Sequence, residues 1–488
     1  MDRGAPEPRD AAQASPTPVN ALTRFSAVQM AAMIRNREIS VAELVDAHFR
    51  ELHHVNGKLN AFVSIDEERA RRQAALADRA IASQGPLGPL HGVPITIKSS
   101  IDVAGLVCEA GTRLRQGYVA ESDAPLVSRL KKAGAIVLGN TTVPEFLMAW
   151  ETDSALYGRT NSPWDLSRTP GGSSGGEAAA IAACCSAGGI GSDGGGSIRV
   201  PAHFSGICGL KPTPGRVPAT GHFPASVGPF ALLGVVGPMA RTIEDLTLMF
   251  EVMAGPDNGD PNAAPVAPQT LDRATLLQSR IGYFDDDGWV SVTQETRDAI
   301  HRTIDTLRDQ GFTVERFVPE GLHEARRLWH ALFIDGVAMV LRQAYKGRED
   351  EMHSIVREIL RLSELDPPLT AESLLDVLFR RDIVRAKFLA QMERYPILVC
   401  PVSAIPAFRH GERSWTVGNQ TVRYPDAFSY SQYFNLLGNP AAVVPVGSSP
   451  EALPIGVQIV GRPWEEERVL AIGRAVEHAG GWKEPTRQ

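Results

Sequence analysis

Residues 169–201 read TPGGSSGGEAAAIAACCSAGGIGSDGGGSIRVP, and it is here that residue types and spacing could do chemistry. Glycine loses more freedom on ordering than other residues, so such density means either a flexible linker or backbone that must approach something closely. A linker is contradicted by Glu177–Ala187, an apolar, helix-favouring run that belongs in a packed core. The segment therefore predicts two glycine-serine loops joined by a buried helix. Gly189-Ile190-Gly191-Ser192-Asp193-Gly194 fits G-x-G-x-x-G, but a dinucleotide loop follows a strand and opens a long helix, whereas here a helix precedes and Pro201 soon follows. Gly171-Gly172-Ser173-Ser174-Gly175 fits the G-x-S-x-G elbow, yet Asn161–Thr169 is polar and offers no apolar strand before it. A third template needs a lysine base, two serines and a row of backbone donors. Its lysine is Lys98, at the end of an apolar run in LHGVPITIKSSIDV (90–103).

That chemistry makes a demand on the lysine. A serine hydroxyl is a weak nucleophile until a base takes its proton. With a reference pKa of about 10.4, only about one lysine in a few thousand is neutral at pH 7. Burial of Lys98 at a strand end, away from carboxylates, is the expected remedy, because desolvation disfavours the ammonium.

The elements that must position these groups alternate. Candidate strands Ala61–Ile65, Val93–Ile97 and Ala135–Leu138 are interleaved with helical stretches Glu67–Ile81 and Ala124–Ala133. Ser40 with Glu43 is a capping-box signal before a helix. The alternation resumes at Ile281–Phe284, a helix at Thr293–Asp309, and Phe312–Phe317, then Ile397–Cys400, Ala442–Val446 and Ile455–Val460. Short β-branched runs between helices predict an α/β fold with a large, mostly parallel central sheet and helices on both faces. One core brackets the chain from residue 21 to 488. Residues 1–20, interrupted by four prolines, read as a disordered lead-in. Ala254–Pro268 is the best linker candidate, and Asp285–Asp287 reads as a solvated turn. Residues 320–393 turn helical and strand-poor, either a cap shaping access to the site or a purely structural layer.

With Lys98 in GVPITIKSSID, Ser173 in PGGSSGG and Ser197 in GSDGGGSIRVPA, the two serines 24 positions apart, the chain resembles the amidase signature family. The resemblance is strong over Leu90–Pro256 and returns in FNLLGNPAAVVPVG and LPIGVQIVGRPW. It implies a large mixed sheet between helical layers and a Ser–cis-Ser–Lys triad. In that triad Ser197 is the nucleophile and Ser173 relays the proton to Lys98 after a cis peptide at Gly172. It also implies an oxyanion hole of the N–H groups of Gly194, Gly195, Gly196 and Ser197. Many members carry Thr where this chain has Gly194, so any role of that hydroxyl is absent. Leu147, Met148, Ala149 and Trp150 fall, with Gly172, where the family binds substrate. Asp193 and Arg199 are expected to brace the loop by an ion pair, with Ser174 as a supporting hydrogen bonder.

Bulk composition narrows the rest. At 43% apolar, 22% charged and a formal charge of −7 spread along 488 residues, the chain offers no basic patch for nucleic acid and no polybasic membrane anchor. No apolar run is long enough for a bilayer and the first twenty residues lack a secretory stretch, so cytoplasmic residence is expected. The five cysteines (Cys108, Cys184, Cys185, Cys208, Cys400) read as reduced core residues, and no metal spacing and no cofactor motif is found. The expected substrate is a small amide, hydrophobic or aryl, with carbamates (a urethanase-like activity) and esters as variants. The alternative is a glutaminase subunit of a glutamine-dependent amidotransferase complex.

Overall fold

The computed structural model describes residues 19–84, 88–364 and 367–485. The lead-in expected over residues 1–20 lies almost wholly outside them. Eleven strands form one sheet: β1 (Phe62–Ile65), β2 (Pro94–Lys98), β3 (Ile136–Thr141), β4 (Gly188–Asp193), β5 (Cys208–Lys211), β6 (Val235–Ala240), β7 (Ile281–Tyr283), β8 (Val314–Arg316), β9 (Ile397–Pro401), β10 (Ala441–Ser448) and β11 (Pro454–Gly461). Their spatial order is β1-β3-β2-β4-β6-β5-β10-β11-β9-β7-β8.

The sheet is mixed, but the expectation of mostly parallel pairing is corrected. Parallel pairs (β2 with β3 and β4, β7 with β8 and β9) lie on the flanks, where helices cross over. The six remaining pairs are antiparallel. The short link between β10 and β11 shows why: a few residues can turn a chain back on itself, whereas a parallel return needs a dozen or more. Strands on both sides of Ala254–Pro268 share this sheet, so that stretch joins no separate modules. Arg129 Nη1 clamps its start through the carbonyls of Met253 (2.6 Å) and Gly255 (2.7 Å).

Side chains alternate across a strand, and here the alternation builds two cores. Ile397 and Val399 join one cluster while Leu398 and Cys400 join the other; Ala442, Val444 and Val446 oppose Ala441 and Val443. Helices Glu67–Gln84, Pro125–Lys132, Gln294–Asp309 and Glu466–Val476 pack in the first cluster, and Arg199–Ser205 and Ser429–Leu436 in the second, so both faces are covered. Ser40 does cap the helix Val41–Leu59 in a reciprocal box with Glu43. The five cysteines are buried and unbridged. No helix among the described residues is long and apolar enough to cross a membrane.

Between β8 and β9 the chain forms helices Leu322–Trp329, Gly336–Ala344, Ser354–Ser363 and Ala371–Gln391. The first two are one helix interrupted by a π-turn at His330–Asp335. Such wide turns in an α-helix commonly mark functional positions. Asp285, Asp286 and Asp287 form a braced turn, not a freely solvated one: Asp286 pairs with Arg297 at 2.5 Å, and Tyr433 donates to Asp287 Oδ2 at 2.5 Å.

Candidate active site

Lys98 ends β2, whose alternate Ile95 and Ile97 bury one face of the strand and whose five residues are all inaccessible to solvent. Its Nζ lies 2.8 Å from Ser173 Oγ, 2.9 Å from Ser174 Oγ and 3.0 Å from Ser192 Oγ. Burial in this hydroxyl cage lowers its pKa to about 7, against the opposing pull of Asp193 and Glu177. The lysine is thus not remote from carboxylates, which corrects the expectation from the sequence. Glu177 can stand nearby because burial raises its own pKa to about 8, while Thr96 and Thr141 donate to its two oxygens.

Ser173 and Ser174 precede the helix Gly175–Ala182, and the Gly172–Ser173 peptide is cis. That helix ends earlier than the predicted Ala187, at a turn where Cys184 takes a left-handed φ of 61°. The stretch after it, expected as a loop, is instead β4, buried throughout. Glycine makes the difference: a Cβ on Gly189 would stand 1.7 Å from Glu177 Oε1, so only a strand without side chains lets the helix lie this close.

After β4 the chain turns through Gly194–Ile198 into the short helix Arg199–Ser205. Asp193 organises that turn. Its Oδ1 accepts from the Gly196 N–H at 2.8 Å, its Oδ2 from the Ile198 N–H at 3.1 Å, and Arg199 holds both oxygens at 2.9–3.0 Å with both side chains buried. The guanidinium keeps the Asp193 carboxyl well below the usual carboxylate range despite the opposing effect of burial. The expected set of four oxyanion donors is therefore corrected, because the Gly196 N–H is already committed to Asp193. The N–H groups of Gly194, Gly195 and Ser197 find no acceptor among the described residues.

The carbonyls of the same loop are held from four directions. Asn435 Nδ2 donates to Asp193 O at 3.2 Å, Trp329 Nε1 to Gly194 O at 2.8 Å, Trp150 Nε1 to Gly195 O at 2.8 Å, and the Val200 N–H to Gly196 O at 2.7 Å.

Ser173 and Ser197 both open onto a cavity of about 490 Å³, although their hydroxyls do not bond to each other in this structure. Its walls are mainly apolar, with Phe146, Leu147, Met148, Phe223, Phe230, Val235 and, from the helices after β8, Phe333, Val337 and Leu341, while Ser192, His222 and Ser226 add polar groups. Within the segment 320–393, residues between Phe333 and Ala344 thus form one wall of the cavity. Arg115 stands at the cavity with its guanidinium between the rings of Tyr118 (3.6 Å) and Phe223 (4.1 Å). Phe146 and Leu147 reach the cavity on backbone with φ of 52° and 65°, a conformation that costs of order 1–3 kcal/mol for non-glycine residues and clusters at functional sites.

Three of the expected substrate contacts are absent from the lining of this cavity. Ala149 and Trp150 border a smaller void of about 10 Å³ that Leu147, Met148, Ser197 and Phe333 also line, and Trp150 stacks on Phe428 at 4.7 Å. Gly172 does not line the cavity; its Cα faces the carbonyls of Ala149 and Glu151, which a Cβ would meet at 2.6 and 2.4 Å. Sequence reasoning missed Ser192, Glu177, Trp329 and Phe333. Ser192 sits inside the recognised loop motif and was within reach, but nothing local marks two aromatic residues in a remote helix. Among the described residues no three His, Cys, Asp or Glu side chains converge as a metal site would require.

A family profile described as Amidase matches residues 43–470. The chain is 35% identical to an indoleacetamide hydrolase of Bradyrhizobium diazoefficiens, over 95% of this chain and 88% of that one. It is 33% identical to a subunit of the glutamyl-tRNA(Gln) amidotransferase of Symbiobacterium thermophilum, over 93% and 96%. The crystal structure of a bacterial aryl acylamidase of the amidase signature enzymes superposes with a TM-score of 0.82 at 25% identity, covering 94% of this chain and 96% of that one.

Proposed function

Because the chain belongs to the amidase family and so cleaves amide C–N bonds, we propose that it hydrolyses small amides with an apolar, aryl-bearing body, by acylation of Ser197. The observation that carries this reading is a buried lysine held near neutrality, touching Ser173 on the floor of the apolar cavity that also exposes Ser197.

In this reading the Lys98 lone pair takes the Ser173 proton while Ser173 Oγ takes that of Ser197, closing the relay by rotation of the Ser197 hydroxyl when substrate binds. Ser197 Oγ attacks the carbonyl carbon. The oxyanion meets the free N–H groups of Gly194, Gly195 and Ser197, and each such donor is worth about 2.7–4 kcal/mol in comparable sites. Return of the proton through Ser173 to the nitrogen breaks the C–N bond, releases the amine and leaves an ester on Ser197. Water then attacks by the same relay and frees the acid. Carbamates and esters present the same carbonyl and fit the same steps.

The lining also weighs against glutamine as the substrate. An amino acid needs a paired cation and anion to receive its charged ends. Here Asp193, the one carboxylate in the described lining, is consumed by Arg199, so Arg115 has no anion to pair with it in receiving an amino acid. The purified chain, supplied with matched aryl anilides, aliphatic amides, carbamates, esters and glutamine, should turn over the anilides fastest without any partner. Ser197→Ala should lower that rate more than about a thousandfold and abolish labelling by a fluorophosphonate. Preference for glutamine would reject the substrate reading, and a labelled, active Ser197→Ala would reject the nucleophile.

A further inference from the structure

Resting on the reading of the Ser197 loop as an oxyanion hole, we propose that Trp329 is a positioning residue that aims the Gly195 N–H at the reacting carbonyl, tying catalytic power to the seating of the helical wall.

A peptide group is planar, so fixing its carbonyl fixes the direction of the N–H on the next residue. In the Gly194–Gly195 peptide the carbonyl accepts from the Trp329 indole at 2.8 Å, and the N–H is free. In the Gly195–Gly196 peptide both ends are held, the carbonyl by Trp150 and the N–H by Asp193. Among the described residues the Trp329 contact is thus the single hydrogen bond on the first plane, while the second would keep Asp193 if Trp150 were lost. Glycine is flexible enough for an unrestrained plane to turn and carry its donor away.

The packing is built for this contact. A Cβ on Gly195 would meet Trp329 Cζ2 at 2.5 Å, and one on Gly194 would meet Phe333 Cε2 at 2.7 Å. The two glycines thus form a slot into which the stacked pair Trp329–Phe333 (centroids 5.0 Å apart, 18° between planes) descends from the π-turn. Trp329 is buried and does not line the substrate cavity, so its effect must pass through the loop.

The test removes the indole N–H in two ways: Trp329→Phe, and site-specific replacement by benzothienylalanine, which keeps the ring volume and puts sulfur for the N–H, so that folding is preserved. With an anilide substrate kcat should fall about tenfold or more while KM stays within about threefold. Affinity for an aryl boronic acid, which forms a tetrahedral adduct on the nucleophile, should fall in parallel with kcat, and affinity for the carboxylic acid product should hold. Trp150→Phe should lose less. Wild-type kcat and boronate affinity in either folded variant overturn the proposal, as does a loss carried by KM and product binding alone. Failure of the unaltered enzyme to bind the boronic acid would overturn the underlying reading of Ser197.

Discussion

A lysine serves as a base only where its surroundings deny it a full charge. The three hydroxyls around Lys98 can accept its hydrogens but cannot neutralise an ammonium, so desolvation outweighs the pull of Asp193 and Glu177. In the proposed relay the neutral amine is the working form, so kcat/KM should drop about tenfold per pH unit below about 7 and level off above it. A pH–rate profile that is flat from pH 5 to 8, or one unchanged in Lys98→Ala, would remove Lys98 from the mechanism. At this scale the sequence was informative: a lysine at a strand end and two serines in glycine loops are recognisable because each signal is local. Trp329 was not, since its bond to Gly194 spans 135 positions.

Elements place these residues through what they lack as much as through what they carry. Strand β4 escaped sequence reading because period-two alternation needs side chains, and Gly188-Gly189-Ile190-Gly191 presents almost none. Eight strands rich in apolar residues were expected near their observed places, as were the helices Val41–Leu59, Glu67–Gln84, Pro125–Lys132 and Gln294–Asp309, whereas β5, β6 and the helices Ile243–Met253 and Glu466–Val476 were not. The π-turn at His330–Asp335 likewise has no sequence signature, yet it delivers Phe333 into the cavity. Phe333→Ala should enlarge that cavity and raise kcat/KM for bulky two-ring anilides relative to acetanilide by roughly tenfold. Competition kinetics on the mixed pair would show it; an unchanged ratio would mean the ring sets no size limit.

Over the whole molecule, buried groups make stability depend on pH in opposite senses. Glu177 keeps its proton to about pH 8 in the fold but loses it near 4.5 when unfolded, so its contribution is complete below 4.5 and is lost as pH rises toward 8. Lys98 and Lys211, lowered by burial from 10.5 to about 7, act the other way: their contribution is complete above 10.5 and is lost as pH falls toward 7. Burial also lowers His48 from 6.5 to about 3 and His203 and His222 to about 4, so their contribution is lost as pH falls below 6.5 and opposes that of Glu177. The melting-temperature advantage of the wild type over Glu177→Gln should shrink as pH rises from 5 to 8, and a difference that stays constant or grows would contradict the assignment.

The four groups that hold the carbonyls of residues 193–196 come from positions 150, 200, 329 and 435, three of them far from the loop in sequence. Individual helices can form before such distant segments have met, since long-range contacts carry the largest ordering cost. Turnover is then the last property to return on refolding and the first to go on partial loosening. Loss of activity in a damaged preparation would report mis-seated helices well before a spectroscopic melt reports an unravelled core.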